Sequence, residues 1–424
     1  MYTLSRKTFK KRKKTVRRNT IITVSIILAL IILERSYNSM AKFQTTAEDA
    51  AYYGILDAKF TYSEKLRDFE HMYSVLQENY PFFKVNERQN NIDWLANKGK
   101  YKRIIRNTGN DAEFLVAMNN ILSELSDNNT FILTGDLYRR FYKHYYPNRR
   151  EIFHYETSLG RYNFDGTLEL DPNNDFIFHN GPVLDTKVLI EDELAYMKIE
   201  AMSYYHVEED YPKIKSFLKE VEDYNKLIID IRGNKGGFDD YWEKVVGLLI
   251  DDVHSAEYYS FFKQTPKTLY DPFRISNVTT IKDLDEKILE QFPSEIKEDF
   301  NFYKTNLVNI APEGEVNFKG KVYLLVDSEV FSSAEKFAAF AKDTGFATLV
   351  GVTTGGGMTF DEVPMDYMPY GGYIINYSRE LVMNSDGTIN METKTTPHIV
   401  VDEPESNEDF TKDKCIQAVM EDKI

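Results

Sequence analysis

Leu227-Ile228-Ile229-Asp230-Ile231 runs directly into Arg232-Gly233-Asn234-Lys235-Gly236-Gly237, and this junction decides the fold. A short, almost wholly apolar run reads as a strand covered on both faces, as strands of parallel sheets are. The glycines that follow, at 233, 236 and 237, admit close backbone approach and leave N–H groups free to donate. Such a turn can act as an oxyanion hole or a phosphate cradle, or answer only to chain geometry. It has neither the Gly-x-x-x-x-Gly-Lys-Ser/Thr pattern nor the dinucleotide glycine spacing, which disfavours a nucleotide.

Outward from this junction, residues 195–199, 322–326 and 347–350 read as further apolar strands. Between them lie helical faces: Ile214, Phe217, Leu218 and Val221; Trp242, Val245, Val246 and Leu249; Ala334, Phe337, Ala338 and Ala341. Strand–helix alternation with apolar strands predicts an α/β domain over 191–424, a parallel-rich sheet covered by helices, with 255–315 as a variable stretch. Residues 45–135 read as a helical N-terminal domain. Phe69, Met72, Tyr73 and Leu76 form one face, Leu115, Met118, Ile121/Leu122 and Leu125 another; Pro81 ends the first helix and Asp111 caps the second. Residues 136–190, punctuated by Pro147, Gly160, Pro172 and Gly181-Pro182, read as an irregular or β-rich connection without a PDZ-like module.

In open α/β sheets chemistry gathers where strands end and helices begin. A second such junction is Val330-Phe331-Ser332-Ser333-Ala334-Glu335, after strand 322–326. Ser332 falls at a helix start, where free N–H groups and the helix dipole favour the negative charge of an alkoxide or an oxyanion. The same residues also spell a capping box, Ser332 with Glu335 three positions on. Asp239 and Asp240 read as caps of the helix that begins there.

Taken in order, these segments resemble the tail-specific, or C-terminal processing, serine peptidases, most closely the branch related to the tricorn core and retinoid-binding proteins. The likeness is carried by Asp230-Ile231-Arg232-Gly233-Asn234-x-Gly236-Gly237, by Phe331-Ser332-Ser333-Ala334-Glu335, by Thr354-Gly355-Gly356 and by Thr396-Pro397-His398-Ile399. It extends over roughly residues 65–420. It implies a crotonase-like α/β core, Ser332 as nucleophile, and the Gly236 and Gly237 turn with the Ser333 amide as oxyanion donors. A serine needs a base, and here the chain departs from the family. The position of the family's lysine is Gly357, with Asp361 at the accompanying amide position. The position of the other branch's histidine, in Leu125-Ser126-Asp127-Asn128-Asn129-Thr130, is Asn129. His398 is the alternative base, and Glu392 a residue that orients one. The resemblance implies a peptide or protein substrate and an acyl-enzyme; a chain lacking the base would instead be a pseudopeptidase that binds peptide or a partner. An apolar-ligand carrier is the third reading, since one related group binds retinoids.

Charge is unevenly divided. Residues 1–40 hold ten Lys/Arg and one acid, Glu34, whereas 42 basic and 66 acidic residues follow Met40. A body of net charge −24 disfavours nucleic acid as a partner. The basic stretch 1–19 precedes an apolar run, Ile21 to Leu33, that reads as a signal-anchor over 20–35. This predicts a single-pass cell-membrane protein with an extracytoplasmic body; cleavage near Ala41, at Ser39-Met40-Ala41, would release it instead. The single cysteine, Cys415, excludes an internal disulfide. No zinc-like His/Cys cluster occurs, so no metal or organic cofactor is implied. The oligomeric state is not legible.

Overall fold

The computed structural model describes residues 60–145, 156–162, 182–263, 275, 277–407 and 409–423. The basic tail, the signal-anchor at 20–35 and the cleavage site near Ala41 lie outside the described residues. Among the described residues no helix is long and apolar enough to cross a membrane.

The described residues begin with α1 (Tyr62–Asn79), α2 (Phe83–Asn90), α3 (Lys98–Arg106) and α4 (Asp111–Ser123). Thr61 and Glu64 form a reciprocal capping box on α1, and the helix stops at the residue before Pro81, as pre-proline geometry demands. The cap of α4 is Asn110, whose side chain accepts from the Glu113 amide at 2.8 Å. Asp111, expected as that cap, instead turns inward, where it is buried and ion-paired with Arg161. Both predicted faces, from Phe69 to Leu76 and from Leu115 to Leu125, are buried. Their core is rich in rings, with Trp94 stacked on Tyr73 at 5.2 Å.

Strand β1 (Phe131–Ile132) is followed by α5 (Gly135–Tyr145) and α6 (Glu156–Arg161), then by β2 (Leu184–Ile190). Within the stretch read as irregular or β-rich over 136–190 the described residues hold two helices and β2, while 146–155 and 163–181 lie outside the described residues. The buried face of α5 is Tyr138, Phe141 and Tyr142, with Tyr138 stacked on Tyr162 at 4.3 Å. A tyrosine-built face carries a weaker apolar signal than an aliphatic one.

The α/β part follows: β3 (Leu194–Ile199), α7 (Tyr204–Glu220), β4 (Lys226–Asp230), α8 (Asp239–Leu249), β5 (His254–Phe262), β6 (Thr279–Thr280), α9 (Glu286–Leu289), α10 (Ser294–Asp299) and β7 (Phe302–Ile310). It continues with β8 (Lys321–Val326), α11 (Ser333–Thr344), β9 (Thr348–Gly351), β10 (Met365–Tyr367), β11 (Ile374–Asn376), β12 (Leu381–Met383), α12 (Asn390–Thr393), β13 (Ile399–Val400) and α13 (Lys414–Glu421). The main sheet has the order β13-β9-β8-β4-β3-β2, parallel throughout except for the antiparallel edge strand β2.

Leu227 and Ile229 of β4 pack on one face with α7, α8 and α11, while Ile228 packs on the other with Cys415, Ile416 and Val419 of α13. Period-two alternation into two cores explains why the strand is apolar at every position. The stretch read as variable holds the long antiparallel pair β5–β7, paired from His254 with Ile310 to Phe262 with Phe302. Phe261, Ile281, Leu284, Ile296 and Phe300 from this region join the core of helices α1 to α4, together with Tyr373, Leu381 and Ile389.

Candidate active site

Three loops meet at the carboxyl ends of β4, β8 and β9. The first is the glycine turn after β4. Asp230 is fully buried and accepts from Tyr196 Oη at 2.7 Å and from Arg232 Nε at 2.9 Å, while Arg232 also donates to Asp413 Oδ2 at 2.8 Å. This pairing fixes the turn to the start of α13. Asn234, also fully buried, donates from Nδ2 to Ile199 O at 2.9 Å and accepts the Gly236 amide at 2.8 Å. A Cβ on Gly236 (φ +94°) would lie 2.7 Å from Phe331 O, and one on Gly237 (φ +135°) would lie 2.0 Å from Met202 O. Only glycine fits at either position.

The second loop carries Ser332. Asp327 Oδ1 accepts from Gly233 N at 3.1 Å and from Glu329 N at 3.0 Å, and Phe331 N donates to Asn234 O at 3.1 Å, so the two loops are stitched together. Ser332 has φ 58° and ψ −119°, a region a non-glycine residue occupies only under constraint from its surroundings. Its side chain makes no capping bond to α11. Glu335, the other half of the expected capping box, is buried and accepts instead from Asn390 Nδ2 at 2.7 Å and Thr395 Oγ1 at 2.8 Å. Burial raises its carboxyl above the ordinary range against those donors. Ser332 Oγ has no hydrogen-bond partner among the described residues.

The third loop follows β9. Gly355 N donates to Val330 O at 2.8 Å and Gly356 O accepts from Ser332 N at 3.2 Å. Gly357 (φ +77°) lies under the Phe331 ring. The loop beyond is gathered by buried Glu380, whose Oε2 accepts the Phe360 and Asp361 amides, each at 3.0 Å. Burial, then the neighbouring Asp361, raises the Glu380 carboxyl; Asp361 itself pairs with Lys304 at 3.0 Å.

These loops and the turn at 127–130 border a cleft of about 650 Å³, lined among others by Asn129, Gly237, Asp239, Ser332, Ser333 and Asp361. Asn129 is placed by Asp127, which accepts the Asn129 amide at 3.0 Å and Thr130 Oγ1 at 2.6 Å; burial raises the Asp127 carboxyl. Gly357 lines a smaller void beside the cleft, bordered also by Asn129 and Asp361.

Several expectations are corrected by this geometry. The Gly236 amide is committed to Asn234, so of the three expected oxyanion donors Gly237 and Ser333 are those without an acceptor among the described residues. Asp239 caps no helix: it accepts from Ser333 Oγ at 2.8 Å, from Lys336 Nζ and from Trp242 Nε1. His398 does not line the cleft. Its Nδ1 accepts the Leu349 amide at 2.9 Å, and burial together with Lys342 and Lys321 lowers its pKa. His398 thus sits just before β13, bonded to Leu349 of β9, and is not among the residues that line the cleft with Ser332. Glu392 orients no base but pairs with Arg88, Nε to Oε1 at 2.9 Å. Among the described residues no histidine lines the cleft, and no group of three or more His, Cys, Asp or Glu converges as a metal site. Lys336, absent from the candidates, lines the cleft; its signal was the four-residue spacing from Ser332.

The fold and its loops define a mixed α/β protein with a parallel-rich sheet whose glycine-rich turns enclose a serine-bearing cleft. Residues 193–401 match the model of peptidase family S41, and the chain carries a domain of that family. Its fold is similar to that of a peptidase-assigned protein from Parabacteroides merdae (17% identity, 84% of this chain and 95% of that one, TM-score 0.54). It is also similar to mature CPAF (13%, 80% and 92%, TM-score 0.51) and to a CPAF point mutant (13%, 86% and 99%, TM-score 0.54). At these identities the likeness speaks for the fold. No curated protein matches the chain.

Proposed function

We propose that this chain is a serine peptidase that cleaves exported peptides or protein tails through an acyl-enzyme on Ser332. The observation that carries the reading is the Ser332 backbone at φ 58°, ψ −119°, with its hydroxyl uncommitted at the cleft and the Gly237 and Ser333 amides unclaimed beside it. Such strain costs on the order of 1–3 kcal/mol and is kept where the surroundings impose it, often at functional sites. Ser332 Oγ attacks the scissile carbonyl, and its proton passes to a base and then to the leaving amine. The two free amides receive the oxyanion, and water releases the acyl group. Acyl transfer by a serine draws on no cofactor.

The body acts outside the cell in this reading, held at the membrane by residues 20–35. Support comes from the order of the basic stretch and the apolar run, with release near Ala41 as the alternative. Full-length protein in detergent should hydrolyse an unstructured peptide, and Ser332→Ala should lose at least 100-fold.

A second reading, a pseudopeptidase that binds without turnover, is favoured by Asn129 and Gly357 at the family's base positions and by the unpartnered Ser332 hydroxyl. It predicts equal peptide affinity and no hydrolysis for both proteins. Turnover lost in Ser332→Ala excludes it.

A further inference from the structure

The position of Lys336 within the cleft deepens the peptidase reading, and the role assigned to it rests on that reading. Lys336 donates its backbone amide to Ser332 O at 2.9 Å, closing the first turn of α11 and setting the two residues one turn apart. Helical side chains lean toward the N-terminus, which carries the Lys336 chain back toward the Ser332 turn. The side chain is only 4% exposed, yet it lines the cleft together with Ser332 and Ser333. Its ammonium lies over the Phe360 ring, 4.3 Å from the centroid, and bonds Asp239 Oδ2, while the other oxygen of Asp239 accepts Ser333 Oγ at 2.8 Å. The Asp239 carboxylate therefore bridges the amine to Ser333, the residue next to Ser332.

We propose that Lys336 is the general base for Ser332, with Asp239 as the residue that positions it. The nucleophile and its base then sit on one helix, which explains how the chain dispenses with a histidine at 129 and a lysine at 357. A lysine accepts a proton only as the neutral amine, so an ammonium at 336 first gives its proton to solvent. The neutral amine takes the proton of Ser332 Oγ as the Oγ–C bond forms and the carbonyl π pair moves onto oxygen. The resulting ammonium returns that proton to the leaving nitrogen as the C–N bond breaks. Water repeats the sequence at the acyl-serine, giving up its proton to Lys336 as it adds. When the Oγ–C bond breaks, Lys336 returns that proton to Oγ.

The charged groups that face Lys336 are Asp239 and Glu243 of α8. Across the cleft stand Asp361, paired with Lys304, Glu362, and the Lys235–Glu329 pair; Glu335 lies on its own helix.

The test is the rate at which a fluorophosphonate labels full-length protein between pH 6 and 11, with the Ser332→Ala background subtracted. Wild-type labelling should rise with pH, because only a neutral amine accepts a proton. Lys336→Arg keeps the charge and the Asp239 pairing but cannot deprotonate; it should be flat and at least about 100-fold slower at pH 9. Asp239→Asn, which loosens the hold on the Lys336 amine, should label more slowly than wild type at pH 9 while Ser332 stays the labelled residue. A Lys336→Arg profile that rises with wild type overturns the assignment of the base alone. So does Asp239→Asn labelling at the wild-type rate. Wild type silent at every pH overturns the nucleophile as well.

Discussion

The Phe331 ring occupies the space into which any side chain at residue 357 would extend: a Cβ on Gly357 would come 2.1 Å from Phe331 Cε2. The missing lysine and the neighbouring phenylalanine are one structural feature. A lysine at 357 needs both a different ring position and a left-handed backbone at a non-glycine residue.

Gly357→Lys alone should therefore restore nothing. Overpacking and the positive φ should cost roughly 1–3 kcal/mol in denaturant midpoint, with no gain in peptide hydrolysis. Asn129 already lines the cleft, so Asn129→His should raise hydrolysis at least tenfold at pH 7.5 with little change in stability.

Gly237→Ala tests the turn. Its Cβ would strike Met202 O, and the positive φ at 237 adds strain, so a loss of at least about 2 kcal/mol is expected together with loss of Ser332 labelling. Gly233 also has a positive φ, but nothing lies within 4 Å of its Cβ position. Gly233→Ala should cost only about 1 kcal/mol and leave labelling intact.

Arg232 ties the same turn to α13. It is buried between Asp230 and Asp413, and its removal strands two carboxylates. Arg232→Met should lower stability by about 3–5 kcal/mol, measured by urea unfolding, and by far less in the triple variant that also carries Asp230→Asn and Asp413→Asn.

Asp68 of α1 accepts the Tyr370 and Gly371 amides at 2.9 and 2.6 Å. Burial pushes its carboxyl up to about 6, against these bonds and against Arg161 and His71. The folded state then binds a proton that the unfolded chain, at about 3.9, does not. This contribution to stability grows as pH falls from 7 toward 4. Nearby His71, raised chiefly by its bond to Asp366, acts in the same direction: its stabilisation is complete below pH 6.5 and is lost as pH rises through its folded pKa. Wild type minus Asp68→Asn should gain about 2–3 kcal/mol between pH 7 and pH 4, read from urea midpoints.

The parallel sheet was legible because Leu227, Ile228 and Ile229 feed two cores and leave no polar position to obscure the strand. Helix α5 was not, because Tyr138 and Tyr142 carry hydroxyls and score as mixed residues even when buried. The pair β5–β7 was missed for a related reason: buried Ser260 and exposed Leu307 break the apolar alternation, and each strand finds its partner forty or more residues away. At the site, the glycines announced themselves through spacing. Asp239 did not, since an acid at a helix start looks like a cap until its three donors are seen. Lys336 was hidden inside an amphipathic helix, where a lysine is ordinarily a solvated residue.

The central claim is that Ser332 is a nucleophile, and the mass of the Ser332 peptide after exposure of full-length protein to a fluorophosphonate tests it most directly. The account predicts one phosphonyl adduct, located on Ser332 and absent from Ser332→Ala. An unmodified Ser332 peptide across pH 6 to 11, in protein that still binds peptide, would contradict it.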